Sequence, residues 1–220
     1  ESRRSPVPKP ASREGIATII SRLRDSYPNA RYELDWETPE QLLVATILAA
    51  QCTDERVNKV TKTLFVKYPS PQAFADADLA ELEEELRPTG FYKQKARSVK
   101  EVNRAICEYH GGRVPQSIEA MITLPGVARK SANVVLNTAF NMPTGIIVDT
   151  HVSRVAPRLG LTKKEKPEEI EADLMKLVPQ DTWTFFGPAM VLHGRYTCVA
   201  KKPKCGECNL EELCQKRGVE

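Results

Sequence analysis

Apolar residues recur along the chain with the period of an α-helix. The first stripe, from Ile16 to Leu23, follows the spacing i, i+3, i+4, i+7 and therefore lies on one helix face. Thr38-Pro39-Glu40-Gln41 then has the pattern of an N-cap, a proline in the first turn and a capping-box glutamine, and it precedes the largely apolar segment 42–50. A helix that is apolar nearly all round belongs in the middle of a bundle.

The same periodicity predicts helices along most of the remaining chain, several of which end at a glycine, as at Gly90, Gly111 and Gly160. Only residues 145–148 have the composition of a β-strand, and a single strand has no partner with which to pair. We therefore predict an all-α fold. No repeat of 20 to 50 residues is present, which argues against a solenoid.

Composition places the chain among globular proteins. Its 220 residues, 41% hydrophobic and 28% charged, suffice for one large domain or two small ones, and no apolar run approaches the roughly 18 residues of a membrane helix. We expect no membrane association. The net charge of +3 is too small to indicate a nucleic-acid partner, but residues 193–217 carry six basic and three acidic side chains. One end of the chain is therefore the basic face.

Residues 1–14 combine three prolines with four basic residues and lack the apolar stretch of a secretory signal, which predicts a flexible basic tail. Four of the six cysteines fall within seventeen residues, which indicates a metal site in a reducing, cytoplasmic compartment rather than a disulfide framework. Zinc usually takes two close cysteine pairs, and this cluster has one, so its spacing favours iron–sulfur over zinc without deciding between them. The four candidate ligands are Cys198, Cys205, Cys208 and Cys214.

A tight turn at Pro125-Gly126 separates a short helical pattern from a second helix that begins near Arg129. Such a hairpin directs the unpaired N–H groups of the second helix outward, where they can bind a phosphate. An ordinary helical hairpin has the same spacing, so this pattern alone leaves both interpretations open.

Lys130 lies in the first turn of that second helix, where the helix dipole and Arg129 both disfavour an ammonium and so favour a nucleophilic amine. A plain phosphate contact is the alternative. Asp149 starts the helix predicted for Thr150–Leu159. It is therefore either a partner for the amine or an N-cap.

The segment Leu124–Ala132 resembles the helix-hairpin-helix of the endonuclease III family of DNA glycosylases. Four further segments resemble that family in the same order, as do the four cysteines, so that the resemblance extends from about residue 15 to residue 216. These segments are Leu48–Asp54, Gly90–Tyr92, Val148–Val152 and Leu192–Cys198. Several motifs in one order are far more specific than any single motif.

The resemblance implies a bifunctional DNA glycosylase and AP lyase of base excision repair, acting on double-stranded DNA that contains damaged pyrimidines or abasic sites. The Lys130 amine is then expected to attack C1′ of an oxidised or ring-saturated pyrimidine nucleotide and to form a Schiff base, after which β-elimination cleaves the strand. Asp149 matches the aspartate that assists this attack. The cysteines match the ligands of a [4Fe–4S] cluster, and the enzyme is expected to be monomeric and associated with the bacterial nucleoid.

Further site residues follow from the same resemblance. Gln51 matches a glutamine that fills the gap left by the flipped nucleotide, and Phe91 takes the place of a leucine that wedges into the opposite strand, although a Phe beside a helix-ending Gly is ordinarily a core residue. Asp54 and His151 are expected to border the base pocket. The remaining expected DNA contacts are Gly126, Ala128, Lys201 and Lys202. Ala128 departs from the family, which usually has glycine there, and a required positive φ would make this departure costly.

The predicted domains are a helical bundle over residues 32–141, which includes the hairpin, and an iron–sulfur domain formed by residues 15–31 and 142–220. We expect these to form two helical lobes with a DNA-binding cleft between them. Two other classes stay open: a non-catalytic module that binds damaged DNA, and a zinc-stabilised scaffold. Lys130 and Asp149 discriminate among these classes, because a protein that only binds has no use for an amine and a carboxylate at one pocket.

Overall fold

A computed structural model describes residues 8–219 of the chain. Within that range the regular structure is helical and contains no β-strand, which confirms the all-α prediction. None of the described helices is both long enough and apolar enough to cross a membrane. The helices are α1 (Arg13–Ser26), α2 (Pro39–Leu48), α3 (Asp54–Lys67), α4 (Pro71–Asp76), α5 (Leu79–Leu86), α6 (Tyr92–His110), α7 (Ile118–Met121), α8 (Arg129–Ala139), α9 (Thr150–Leu159), α10 (Pro167–Leu177) and α11 (Trp183–Tyr196).

The chain divides into two compact units. The central unit is Tyr32–Thr144, and the terminal unit combines the described residues up to Arg31 with those from Gly145 onward. In the central unit, α2 is buried on almost every side and packs against α3, α6 and α8. The hydrophobic pattern therefore placed this helix correctly in the middle of a bundle.

In the terminal unit, α11 packs against both α1 and α9, and the apolar stripe of α1 is buried. Residues 145–148, the one segment with the composition of a strand, are buried and form no sheet. They lead directly into α9.

Side-chain caps explain where many helices begin. Thr38 accepts a hydrogen bond from the Gln41 N–H, as its sequence pattern predicts, and Ser or Asp caps most of the other helices that have one. The caps of this kind are Ser12, Thr38, Thr53, Ser70, Asp78, Ser117 and Asp149.

The flexible tail predicted for residues 1–14 does not extend to residue 14. Residues 1–7 lie outside the described part of the chain, but Arg13 already belongs to α1 and the Ser12 hydroxyl accepts a hydrogen bond from the Gly15 N–H. The Lys9 carbonyl approaches Gly15 so closely that a Cβ there would lie only 2.0 Å from the carbonyl oxygen. This close packing fixes the chain just before α1, which the proline-rich composition did not reveal.

Candidate active site and cysteine cluster

The turn between α7 and α8 is built by a proline and a glycine. The Val127 N–H donates to the Leu124 carbonyl at 3.2 Å, Pro125 follows Leu124, and Gly126 has φ +72°. This is the arrangement of a type II turn, in which the third residue needs a positive φ. The turn brings α8 back immediately after the short α7, as the sequence predicts.

Gly126→Ala is expected to lower the free energy of unfolding by about 1–2 kcal/mol, the cost of a left-handed backbone in an L-residue. The new Cβ would also lie 3.2 Å from the Cβ and Oγ of Ser98 on α6. Urea unfolding measures this effect, with Ala128→Gly as the control because Ala128 has φ −78°. Equal unfolding midpoints for the wild type and Gly126→Ala would contradict the turn assignment.

The first turn of α8 presents two exposed cations, Arg129 and Lys130, beside the helix N-terminus. Its N-cap residue, Ala128, is extended and gives no side-chain hydrogen bond to the turn. Because the φ of Ala128 is negative, the backbone does not require glycine there. The departure at this position therefore carries no conformational cost.

Two exposed side chains of the central unit project from left-handed backbone. Gln51 has φ +53° in the loop after α2, and Phe91 has φ +49° immediately before α6. Phe91 is 65% exposed, so the interpretation of this residue as core is wrong. Asp54 begins α3, shortly after Gln51. Non-glycine residues with positive φ are uncommon and concentrate at functional sites.

Asp149, in the terminal unit, is the N-cap of α9. Its Oδ1 accepts hydrogen bonds from the N–H groups of His151 and Val152 at 2.8 and 2.9 Å. The capping role considered from the sequence is therefore present. These two hydrogen bonds also fix the orientation of the half-buried Asp149 carboxylate. On the same helix, Nδ1 of His151 lies 3.3 Å from Nη2 of Arg154.

The four clustered cysteines surround one cavity of the terminal unit. Cys198 follows α11, and the other three lie on the irregular segment that follows, which is anchored by buried Leu210 and Leu213. The cavity is partly open to solvent, and all four cysteines line it.

Comparison with known proteins identifies the chain. Residues 44–180 match the family model described as HhH-GPD superfamily base excision DNA repair protein, and residues 198–214 match the iron-sulfur binding domain of endonuclease III. A relative from Synechocystis sp. named endonuclease III is 54% identical over 94% of both chains. The chain belongs to the endonuclease III family.

Other relatives support the same assignment. The Escherichia coli protein named endonuclease III is 41% identical over 90% of this chain and 93% of its own. The solved structure of a non-covalent endonuclease III–DNA complex superposes with a TM-score of 0.88, at 40% identity over 93% of this chain and 96% of that one. A trapped endonuclease III–DNA covalent intermediate superposes with a TM-score of 0.87 at the same identity and coverage.

This endonuclease III family member is thus a DNA glycosylase/AP lyase of base excision repair, and it carries a [4Fe–4S] cluster. The comparisons give no support to a non-catalytic binding module. The lining of the cavity fits such a cluster, because the four thiols share one space and thiolate sulfur is the ligand that iron–sulfur clusters take.

Two residues that the sequence analysis missed contact the sulfurs. Nη1 of Arg158 lies 3.5 Å from Sγ of Cys198, and Nε2 of His193 lies 3.7 Å from Sγ of Cys208. Arg158 also donates to the carbonyls of Val199 and Ala200. Burial lowers the pKa of His193 to about 4, so this imidazole is neutral at pH 7. Such surrounding groups orient and tune metal-ligating sulfurs.

The basic loop before Cys205 carries exposed Lys201 and Lys202. Lys202 has φ +52°. Of the five non-glycine residues with positive φ within residues 8–219, three are predicted DNA contacts, namely Gln51, Phe91 and Lys202. The sequence carries no signal for this property, because none of these residue types favours a left-handed backbone.

Proposed function

We propose that this enzyme removes oxidised or ring-saturated pyrimidines from double-stranded DNA with the amine of Lys130, and then cleaves the strand at the abasic site. The observation that carries this proposal is the first turn of α8, where exposed Lys130 stands next to Arg129 at an N-terminus with no side-chain cap. A lysine amine is a nucleophile that can form a Schiff base with the sugar, and the helix N-terminus beside it is suited to a DNA phosphate.

In the proposed reaction the Lys130 amine bonds to C1′, and the bond from C1′ to the base breaks. The base leaves with the bonding electrons and takes up a proton. The adduct opens to a Schiff base between Lys130 and the sugar, which makes a C2′ proton acidic. Loss of that proton expels the 3′ phosphate, and water then releases the amine. Asp149 is the proposed carboxylate that assists the attack and stabilises positive charge on the sugar.

The exposed loops of the central unit supply the proposed DNA contacts. Extrusion of a nucleotide leaves a gap in the stack, and Gln51 and Phe91 project freely enough to enter a duplex. Asp54 is proposed to border the base pocket. The turn at Gly126 and Ala128 is proposed to bind a phosphate through backbone N–H groups, as helix N-termini do.

In the terminal unit, Lys201 and Lys202 are proposed to contact the DNA backbone from the loop that the cluster holds. The four proposed cluster ligands are Cys198, Cys205, Cys208 and Cys214. The cluster supplies structure to this loop, since base excision by an amine needs no electron transfer. We further propose that one copy of the chain suffices for one lesion, and that it meets this DNA in the nucleoid.

A panel of duplexes, each carrying one oxidised or ring-saturated pyrimidine, tests the proposal with borohydride present. Base release together with a covalent protein–DNA adduct is the expected result, because borohydride reduces a Schiff base to a stable amine. Tight binding of the lesion duplexes without base release or adduct would instead favour the non-catalytic module.

Asp149→Asn is expected to slow base release by about two orders of magnitude or more while the protein stays folded. Asparagine keeps an Oδ1 that can cap α9, so the substitution removes the charge without removing the cap. Asp149→Ala, which removes both, should cost about 1 kcal/mol more in the free energy of unfolding. Single-turnover base release and thermal unfolding of the two variants measure these effects. Wild-type base release by Asp149→Asn would leave Asp149 with the capping role alone.

A further inference from the structure

A lysine ammonium is buried inside the central unit, between the loops that carry Gln51 and Phe91. Lys95 on α6 is only 5% exposed, and its Nζ donates to the carbonyls of Leu48 and Thr89, both at 2.8 Å. Buried Val99 lies four positions after Lys95, so the helical period places this charge on the apolar stripe of α6.

Each of these two carbonyls lies where an exposed loop begins. Leu48 is the last residue of α2, three positions before Gln51, and Thr89 ends a 3₁₀ turn, two positions before Phe91. The backbone N–H of Lys95 also donates to the Phe91 carbonyl at 3.1 Å. Lys95 therefore contacts the start of the first loop with its side chain. It contacts the start of the second loop with both its side chain and its backbone N–H.

The chemistry of these acceptors explains why a cation can be buried here. Carbonyls in the last turn of a helix lack intrahelical partners, and they carry the negative end of the helix dipole. Burial lowers the pKa of Lys95, because an ammonium removed from water loses its hydration. The two hydrogen bonds to carbonyls must offset this cost. A buried ammonium with two well-placed carbonyls is a rigid link, since losing either partner would leave a charge or a carbonyl unpaired.

We propose that Lys95 is a positioning residue that holds the Gln51 and Phe91 loops at a fixed separation, so that both side chains enter the DNA in one extrusion step. The inference rests on the DNA-contact roles of the proposed function. Gln51 and Phe91 both have left-handed backbone, which persists only where the surrounding structure enforces it. A displacement of about 1 Å in such a constellation can cost on the order of 10²-fold in rate.

Lys95→Met tests the link, because methionine fills similar space without donating a hydrogen bond. The matched control is Lys100→Met, since Lys100 lies on the same helix and donates to the Ala77 carbonyl, away from both loops. Each variant is assayed at saturating enzyme on two duplexes that carry the same ring-saturated pyrimidine. In one duplex the lesion is paired with adenine, and in the other it faces an abasic spacer, which makes extrusion easier. A 2-aminopurine beside the lesion reports unstacking.

Lys95→Met is expected to excise the paired lesion roughly 10- to 100-fold more slowly than the wild type, and to lose the fast 2-aminopurine signal. Its excision rate on the spacer-opposed lesion should stay within about threefold of the wild-type rate. Lys100→Met should match the wild type on both duplexes. In a Phe91→Ala background, Lys95→Met should add little, because the two changes act on the same step.

Equal slowing on both duplexes, or full additivity with Phe91→Ala, would overturn the inference and leave Lys95 a purely structural residue. If Lys95→Met does not fold, Lys95→Gln, which keeps one donor, is measured in its place and is expected to show the same selective loss on the paired duplex. Failure of the wild type to release any base would overturn the proposed function itself, whereas wild-type release with unaffected Lys95 variants would overturn only this inference.

Discussion

Lys130→Gln is expected to abolish base release and borohydride trapping while the protein keeps most of its affinity for DNA. A nucleophile has no substitute within the proposed mechanism, so we expect the single-turnover rate to fall by about three orders of magnitude or more. Binding should weaken only modestly, with the salt dependence reduced by about one charge, because one cation among several contacts is lost. The rate is measured at saturating enzyme, where weaker binding no longer limits the reaction.

Arg129→Gln is the matched control for this prediction. Arg129 is the neighbouring exposed cation in the first turn of α8, and its loss removes one positive charge but leaves the amine in place. We expect its binding defect to resemble that of Lys130→Gln and its rate at saturation to stay close to that of the wild type. If Lys130→Gln also recovered the wild-type rate at saturation, Lys130 would be a phosphate contact and the amine mechanism would be wrong.

Replacing any one of Cys198, Cys205, Cys208 or Cys214 by Ala is expected to remove the cluster and, with it, the fold of the C-terminal loop. The wild type should be brown and contain about four irons per chain, whereas each variant should lose most of its iron and its solubility. Burial raises the pKa of the Cys208 and Cys214 thiols, so cluster binding must displace their protons. With only three cysteine ligands, the free energy of cluster binding is too small to offset the cost of removing these protons.

Cys52→Ala and Cys107→Ala are the controls, because these two cysteines belong to the central unit and do not line the cavity. Both variants should keep their colour and iron content, with smaller effects on stability. Iron analysis and visible absorbance measure the outcome. A protein prepared without oxygen that contained zinc alone, or a Cys198→Ala variant with full iron content, would contradict the ligand assignment.

Much of the fold follows from local patterns. The apolar period and the Thr38 cap place α2 in the middle of the central unit, because both depend on residues a few positions apart. The Pro125-Gly126 turn is likewise encoded locally, since only a few residue types suit its dihedral angles. The short helix α4 was not predicted, because six residues are too few to show a clear period.

The surroundings of the site could not be predicted in the same way. Lys95 and Arg158 each bond to carbonyls about 40 positions away or more, and nothing in a local pattern specifies such partners. Sequence reasoning about Phe91 gave core as the ordinary interpretation, but the left-handed backbone after Gly90 directs this side chain to solvent. A charged residue on an apolar stripe, as at Lys95, is the one signal that could have identified a buried cation.

The position of the covalent bond tests the central claim most directly. The wild-type enzyme is trapped with borohydride on a duplex that carries one ring-saturated pyrimidine, then digested, and the peptide joined to the sugar is sequenced by mass spectrometry. The account predicts a single modified residue, Lys130, in the first turn of α8. An adduct at any other amine, or base release with no adduct at all, would contradict it.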